Sequence, residues 1–157
     1  MRIYLMQHGK PVPKEEDPDR PLSDGGKGDV GRVSEFLRKS GLIVQEAFHS
    51  GKTRTRQTAE IMVSQLNPNI KAQARAGLSP LDDVKEIASQ IKGADKALLI
   101  AGHLPHLGKL ASLLIAGDEG VPVVSFQQGG VVCLEKDDEG RWSVAWMVVP
   151  EIIKGSA

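Results

Sequence analysis

Two histidines in this chain stand where a strand would end beside a glycine. Ile3-Tyr4-Leu5-Met6 runs into Gln7-His8-Gly9, and Ala97-Leu98-Leu99-Ile100-Ala101 runs into Gly102-His103. Between them, after a third strand-like run, lies Ser50-Gly51-Lys52-Thr53-Arg54-Thr55-Arg56-Gln57-Thr58-Ala59, with Arg54 at the start of a helical pattern. Two imidazoles and a guanidinium suit a phosphoryl group. An arginine fork and the amides of a helix start hold its oxygens, and a neutral imidazole can attack phosphorus. One histidine closing one strand is more often structural, so the chemistry requires that these three segments meet.

The elements that would bring them together can be read from periodicity. Continuous apolar runs of this length suit strands buried on both faces of a parallel sheet. The carboxyl ends of such strands share one edge, where open α/β sheets place their ligand crevice. Strands are predicted at Ile3–Met6, Leu42–His49 and Ala97–Ala101, with Ile70–Ala76 as a short edge strand. Helices are predicted from a Ser23 cap through Val30, Val33, Phe36 and Leu37 to Ser40-Gly41, and over Thr53–Leu66. Two more follow. One, capped by Asp82 or Asp83, carries Val84, Ile87, Ala88 and Ile91 inward and stops at Gly93; the other spans Leu104–Ala116 with Pro105 in its first turn. Lys10 to Arg20, broken by Pro11, Pro13 and Pro18, is a long loop beside a strand end, a common place for function. Val131–Glu135 and Trp142–Val149, joined by a turn at 137–140, read as an antiparallel hairpin. Trp142 and Trp146, four apart on that second strand, should face the same side. The expected fold class is α/β: a three-layer sandwich with a mostly parallel central sheet flanked by helices and a short antiparallel hairpin near the C-terminus. One domain over residues 1–157 is the economical organisation.

Bulk composition removes several classes. Twenty basic and twenty acidic side chains leave no net charge, so indiscriminate binding to nucleic acid or to an anionic membrane has no support. The single cysteine, Cys133, lies in Val131-Val132-Cys133-Leu134 and reads as a small core residue in a reducing compartment. No signal sequence precedes the first strand and no apolar run approaches membrane-spanning length. A cytoplasmic monomer is expected. There is no cysteine cluster and no His-Glu-x-x-His, so neither a metal nor a cofactor is expected.

Four segments then resemble, in order, the motifs of the histidine phosphatase superfamily, also called the phosphoglycerate mutase-like fold. Gln7-His8-Gly9 stands for its Arg-His-Gly, and Leu22-Ser23-Asp24-Gly25-Gly26 for Leu-Thr-x-x-Gly. Ser50 to Ala59 stands for Ser-Pro-x-x-Arg-Ala-x-Gln-Thr-Ala, and Gly102-His103 for the late Gly-His. The short length, with Arg20-Pro21-Leu22-Ser23, Leu78-Ser79-Pro80 and Gly102-His103-Leu104-Pro105, looks most like the SixA-type phosphohistidine phosphatases, which have a minimal cap. The resemblance implies a metal-independent phosphatase. His8 would be the nucleophile carrying a transient phosphohistidine, Arg54 would hold the phosphoryl oxygens, and His103 would donate across the phosphate. Gln7, Gly9, Arg20, Arg54 and His103 would form the phosphate-binding set. It implies phosphohistidine on a signalling protein, such as a histidine-phosphotransfer domain, as substrate. A small phosphorylated metabolite is the nearer alternative, and a phosphate-binding module weakened by Gln7 is the other.

Two departures from the family pattern bear on activity. Gln7 stands where the family has arginine, so one charge and one guanidinium fork are missing. Ser79-Pro80 occupy the place where larger members carry an acidic residue. Asp82 and Asp83 are the nearest carboxylates, with helix capping as their plainer role. His106 is read as a rim residue of the crevice and His49 as a strand-end residue. Lys52 and Arg56 are flanking cations that either steer an anion or cover a solvated helix face.

Overall fold

The computed structural model describes residues 1–153 and opens on the first apolar run, which becomes β1 (Arg2–Gln7). The other elements follow as α1 (Asp24–Lys39), β2 (Glu46–His49), α2 (Thr53–Leu66), β3 (Gln73–Ala74) and α3 (Lys85–Lys92). Then come β4 (Leu98–Gly102), α4 (His106–Ala116), β5 (Val131–Lys136), β6 (Trp142–Val148) and a 3-10 turn at Pro150–Ile152. The strands form one sheet in the order β3-β2-β4-β1-β5-β6. The β3-β2, β2-β4 and β4-β1 pairs are parallel, whereas β1-β5 and β5-β6 are antiparallel. The expected α/β class, with its late hairpin, is what the chain adopts.

Alternation along β1 divides the core. Ile3 and Leu5 face one side, with Ile87, Ile91, Leu107, Leu110 and Leu114 of α3 and α4. Tyr4 and Met6 face the other, with Val30, Val33 and Leu37 of α1 and Met62, Val63 and Leu66 of α2. A strand buried on both sides needs a helix layer on each, which is why these strands are continuous apolar runs. Each fully buried aliphatic side chain contributes about 1.5–3 kcal/mol by leaving water.

Several boundaries shift for physical reasons. Only Glu46–His49 of the predicted 42–49 strand pairs with the sheet. Ahead of it the Gln45 and Glu46 amides both turn to the Ala97 carbonyl, while the Gln45 side chain accepts from the Ala97 amide. The edge strand predicted over 70–76 shortens to two residues. Pro105 takes the N-cap position of α4 rather than its first turn. Neither Asp82 nor Asp83 is the N-cap of α3, a place held by Val84. Asp82 accepts from the Ser79 amide at 2.9 Å and Asp83 from the Lys85 amide at 2.9 Å, so both brace the turn leading into the helix.

The tryptophan expectation fails. The β5-β6 register slips by one residue, pairing Cys133 with Trp146 but Leu134 with Val144. That bulge inserts one residue and reverses the facing of everything beyond it. Trp142 therefore packs with the α3/α4 side, and Trp146 joins Tyr4 on the α1/α2 side, with ring centroids 5.9 Å apart.

Candidate active site

The carboxyl ends of β1, β2 and β4 lie side by side, because β4 pairs with both of the others in parallel. His8 follows β1 directly, and its amide donates to the Gly102 carbonyl at the end of β4 at 3.0 Å. The ring centroids of His8 and His103 come within 5.3 Å, edge to face. Arg54 sits in the first turn of α2, close enough for its charge to act on both imidazoles. The three segments singled out in the sequence are thus brought to one place.

His8 has one fixed orientation. Its Nδ1 lies 2.7 Å from the Gly9 carbonyl oxygen. A carbonyl can only accept, so in the neutral ring Nδ1 carries the proton and Nε2 keeps a bare lone pair. Burial lowers the pKa of His8, and the charges of Arg54 and Arg20 lower it further, against an upward pull from the Gly9 bond. A neutral imidazole with an open Nε2 is the form that can attack phosphorus.

The neighbouring motifs hold this orientation. The Gly9 amide donates to Thr58 Oγ1 at 3.1 Å, and Thr58 donates in turn to the Arg54 carbonyl at 2.8 Å. Gln57 Oε1 accepts from the Leu22 amide at 2.7 Å. The Gln-Thr of the Arg-x-x-Gln-Thr segment therefore clamps the first motif and the loop behind it. Gly9 is among the predicted phosphate contacts, yet its amide is already given to Thr58. What Gly9 supplies is space, since a Cβ there would lie 2.9 Å from Val30 Cγ2 and 3.1 Å from the Gly26 carbonyl. The glycines that weaken α1 by propensity have a similar reason at Gly26, where a Cβ would collide with the Lys10 backbone. Ser23 caps α1 by accepting from the Gly26 amide at 3.0 Å and donates to the Lys10 carbonyl at 2.9 Å, so one side chain anchors helix and loop.

The loop after Lys10 closes at its base through the Val12 amide to the Pro21 carbonyl, at 2.8 Å, and carries Arg20 near its end. Arg20 has φ of 48°, the sole non-glycine residue with positive φ among the described residues. Backbone strain of this kind costs on the order of 1–3 kcal/mol and gathers at functional sites. The Arg20 charge reaches both His8 and Arg54. The Nε atoms of Arg20 and Arg54 are both buried without a partner. Two guanidinium donors turned inward and unanswered suit an anion with several acceptor oxygens.

The remaining residues sort themselves. Gln7 ends β1 half-buried opposite Gly102, and its side-chain amide makes no hydrogen bond among the described residues. His49 is buried at the end of β2, its Nδ1 accepting from the Gly51 amide at 3.0 Å. His106, expected on the rim, is fully buried and donates from Nε2 to the Gly77 carbonyl at 2.7 Å, clasping the loop before α3. Arg56 pairs with Glu60 one turn along the exposed face of α2, so it is a solvated cation. Lys52 instead reaches His103 with its charge. Among the described residues, no carboxylate contributes to the pKa shift of His8 or His103, whereas Asp82 raises that of His106.

Sequence reasoning missed the hydroxyls behind His103. Its Nε2 lies 2.7 Å from Ser50 Oγ, which lies 2.8 Å from Thr55 Oγ1. Ser50 and Thr55 are visible in the second motif, but only the fold shows that they meet the second histidine. Among the described residues no group of three or more His, Cys, Asp or Glu side chains is arranged to hold a metal ion. No described helix is long and apolar enough to cross a membrane.

Comparison with known proteins bears on this arrangement. The family model described as Histidine phosphatase superfamily (branch 1) matches residues 3–82. An uncharacterized protein of Picosynechococcus sp. is 30% identical over 128 residues, 76% of each chain. Among solved structures, the protein histidine phosphatase SixA complexed with tungstate superposes with a TM-score of 0.82 at 24% identity, covering 96% of this chain and 97% of that one. The alpha-ribazole phosphatase from Shigella flexneri superposes with a TM-score of 0.75 at 13% identity over the full length of both chains. At these identities the solved structures establish the fold.

Proposed function

The chain belongs to the histidine phosphatase superfamily, and from that premise we propose a metal-independent phosphatase that removes phosphate from phosphohistidine on a signalling protein. His8 Nε2 attacks phosphorus and forms an N–P bond while the leaving group departs with the other bonding pair. Water then attacks the phosphorylated His8, releasing inorganic phosphate and the free ring. Arg54 and Arg20 hold the equatorial oxygens, whose charge is redistributed during transfer. His103 faces the phosphoryl group from the other side.

The observation that carries the substrate class is that, among the described residues, only basic groups bear by charge on the two imidazoles. Asp82 and Asp83 are committed to backbone amides, so neither is placed to protonate a leaving alkoxide. A phosphoimidazole needs no such acid, because its distal nitrogen can carry a proton and the ring then leaves neutral. The SixA structure bound to tungstate has a similar fold, which supports the same substrate class. The stretch from α2 to α3 contains only the two-residue β3, so little chain is available to cover the crevice. Leu104, next to His103, and Leu81 are 42% and 87% exposed, which suits docking of a protein surface. A histidine-phosphotransfer domain is the proposed partner.

Turnover on a phosphohistidine protein, phosphoramidate and para-nitrophenyl phosphate tests this. We expect kcat/KM to favour both N–P donors over the aryl ester by about tenfold or more, a transition-state difference of about 1.4 kcal/mol. A chelator should leave the rates unchanged. Preference for the ester, or loss on chelation restored by zinc or magnesium, would overturn the proposal.

A further inference from the structure

The protons behind His103 can be placed by counting. Thr55 Oγ1 donates to the Lys52 carbonyl at 2.9 Å, and that carbonyl can only accept. The single hydroxyl proton of Thr55 is thereby used. Ser50 must then donate across its 2.8 Å contact to Thr55 Oγ1. With its own proton spent, Ser50 can only accept from His103 Nε2 at 2.7 Å. The neutral ring of His103 therefore carries its proton on Nε2, turned toward α2, and its Nδ1 is bare. His103 is 2% exposed and Thr55 is fully buried, so water does not readily reverse this order.

A bare Nδ1 is an acceptor and repels the oxygens of a phosphoryl group. Resting on the reading of the crevice as a phosphoryl site, we propose that Ser50 and Thr55 act as a proton-directing relay. They make anion binding proton-coupled: His103 takes one proton from solvent onto Nδ1 as the anion enters and becomes its imidazolium donor. Ser50 and Thr55 are thus positioning residues. The groups whose charges bear on the ring are Arg54, His8, Lys52 and His106. Burial first, then Arg54 and the other basic neighbours, push the His103 pKa down to about 3 without an anion, so the ring is neutral beforehand. A dianion beside it acts in the opposite direction. The relay also ties the protonation of one strand-end histidine to the helix start that carries Arg54.

The test uses tungstate, a dianion that does not titrate near neutrality, with binding measured by calorimetry from pH 6 to 8. His8→Ala provides the background, so that the nucleophile cannot take up the proton itself. Affinity in that background should fall as the pH rises, by up to about tenfold per unit over the range in which the bound ring keeps its proton, the limiting slope of one coupled proton. Thr55→Val, of similar shape, frees the Ser50 proton to donate to His103 Nε2. The ring proton then moves to Nδ1, and the slope should flatten while binding persists. Thr55→Ser keeps a hydroxyl and should restore the slope. A flat profile in the His8→Ala background, or an unchanged slope in Thr55→Val, would overturn the relay while leaving the phosphoryl site standing. Failure of the unmodified protein to bind tungstate at all would overturn the site, and the relay with it.

Discussion

The two imidazoles of the crevice are held by different means. His8 is itself held by backbone groups: Nδ1–H to the Gly9 carbonyl and its amide to the Gly102 carbonyl. His103 is fixed through side-chain hydroxyls, Ser50 and then Thr55. A backbone clamp holds His8 in one tautomer as long as the chain follows its path. A hydroxyl relay can be redirected by removing one oxygen. The proposed nucleophile, His8, is therefore the rigid half of the site and His103 the adjustable half.

The sharpest way to break this contrast is to remove each ring. His8→Ala should abolish turnover by about four decades or more, as loss of a covalent nucleophile does. His103→Ala should cost less, about two to three decades, as loss of one donor to the transition state. Phosphatase assays on a single N–P donor compare the two. Equal losses would mean that the two rings act as one unit.

Next in size is the missing arginine. Gln7 ends β1 with no partner for its side-chain amide among the described residues, and the cations acting on His8 are Arg54 and Arg20. Gln7→Arg should raise kcat by about tenfold if half or more of the added interaction acts only in the transition state. A fall in KM at constant kcat would mean that it acts equally on bound substrate. An unchanged or lower kcat/KM would mean that the existing arginines already fill that role.

The pH profile follows from the same environment. Attack needs neutral His8, and burial with Arg54 and Arg20 lowers its pKa from 6.5. The acid limb of kcat/KM should therefore fall below about pH 6.5. A limb centred above that value would contradict the burial account.

A smaller effect is expected in stability. Below pH 6.5 the unfolded chain binds protons that folded His103, lowered to about 3, resists. Stability is thus full above pH 6.5 and declines as the pH falls toward the folded value. Taking His103→Asn as reference, acidification to pH 4.5 should cost the unmodified protein on the order of 2 kcal/mol more. Denaturant unfolding at the two pH values measures the difference; its absence would mean that His103 protonates freely in the folded protein.

Much of this was legible in the chain. Apolar runs that stop at His-Gly and Gly-His mark β1 and β4, and the helical period of Thr53–Leu66 is reproduced to the residue. What stayed hidden depended on pairs distant in sequence. The bulge that separates Trp142 from Trp146 is a matter of register against β5, which no pattern within β6 reveals. His106 looked like a rim residue because its carbonyl partner, Gly77, lies on another loop. Asp83 and Asp82, expected as caps of α3, instead brace the turn from one and two positions outside the cap residue Val84, because the helix starts later than the capping pattern suggests. The hydroxyl relay was invisible because Ser50 and His103 become neighbours only through the parallel pairing of β2 with β4.

In the proposed mechanism His8 carries the phosphoryl group. Rapid quenching into alkali during turnover of an N–P donor, followed by mass mapping of the protein, reads this out. Acid-labile phosphate is expected on His8, present in the unmodified protein and in His103→Ala and absent from His8→Ala. Phosphate mapped to His103, or to another side chain while turnover proceeds, would contradict it.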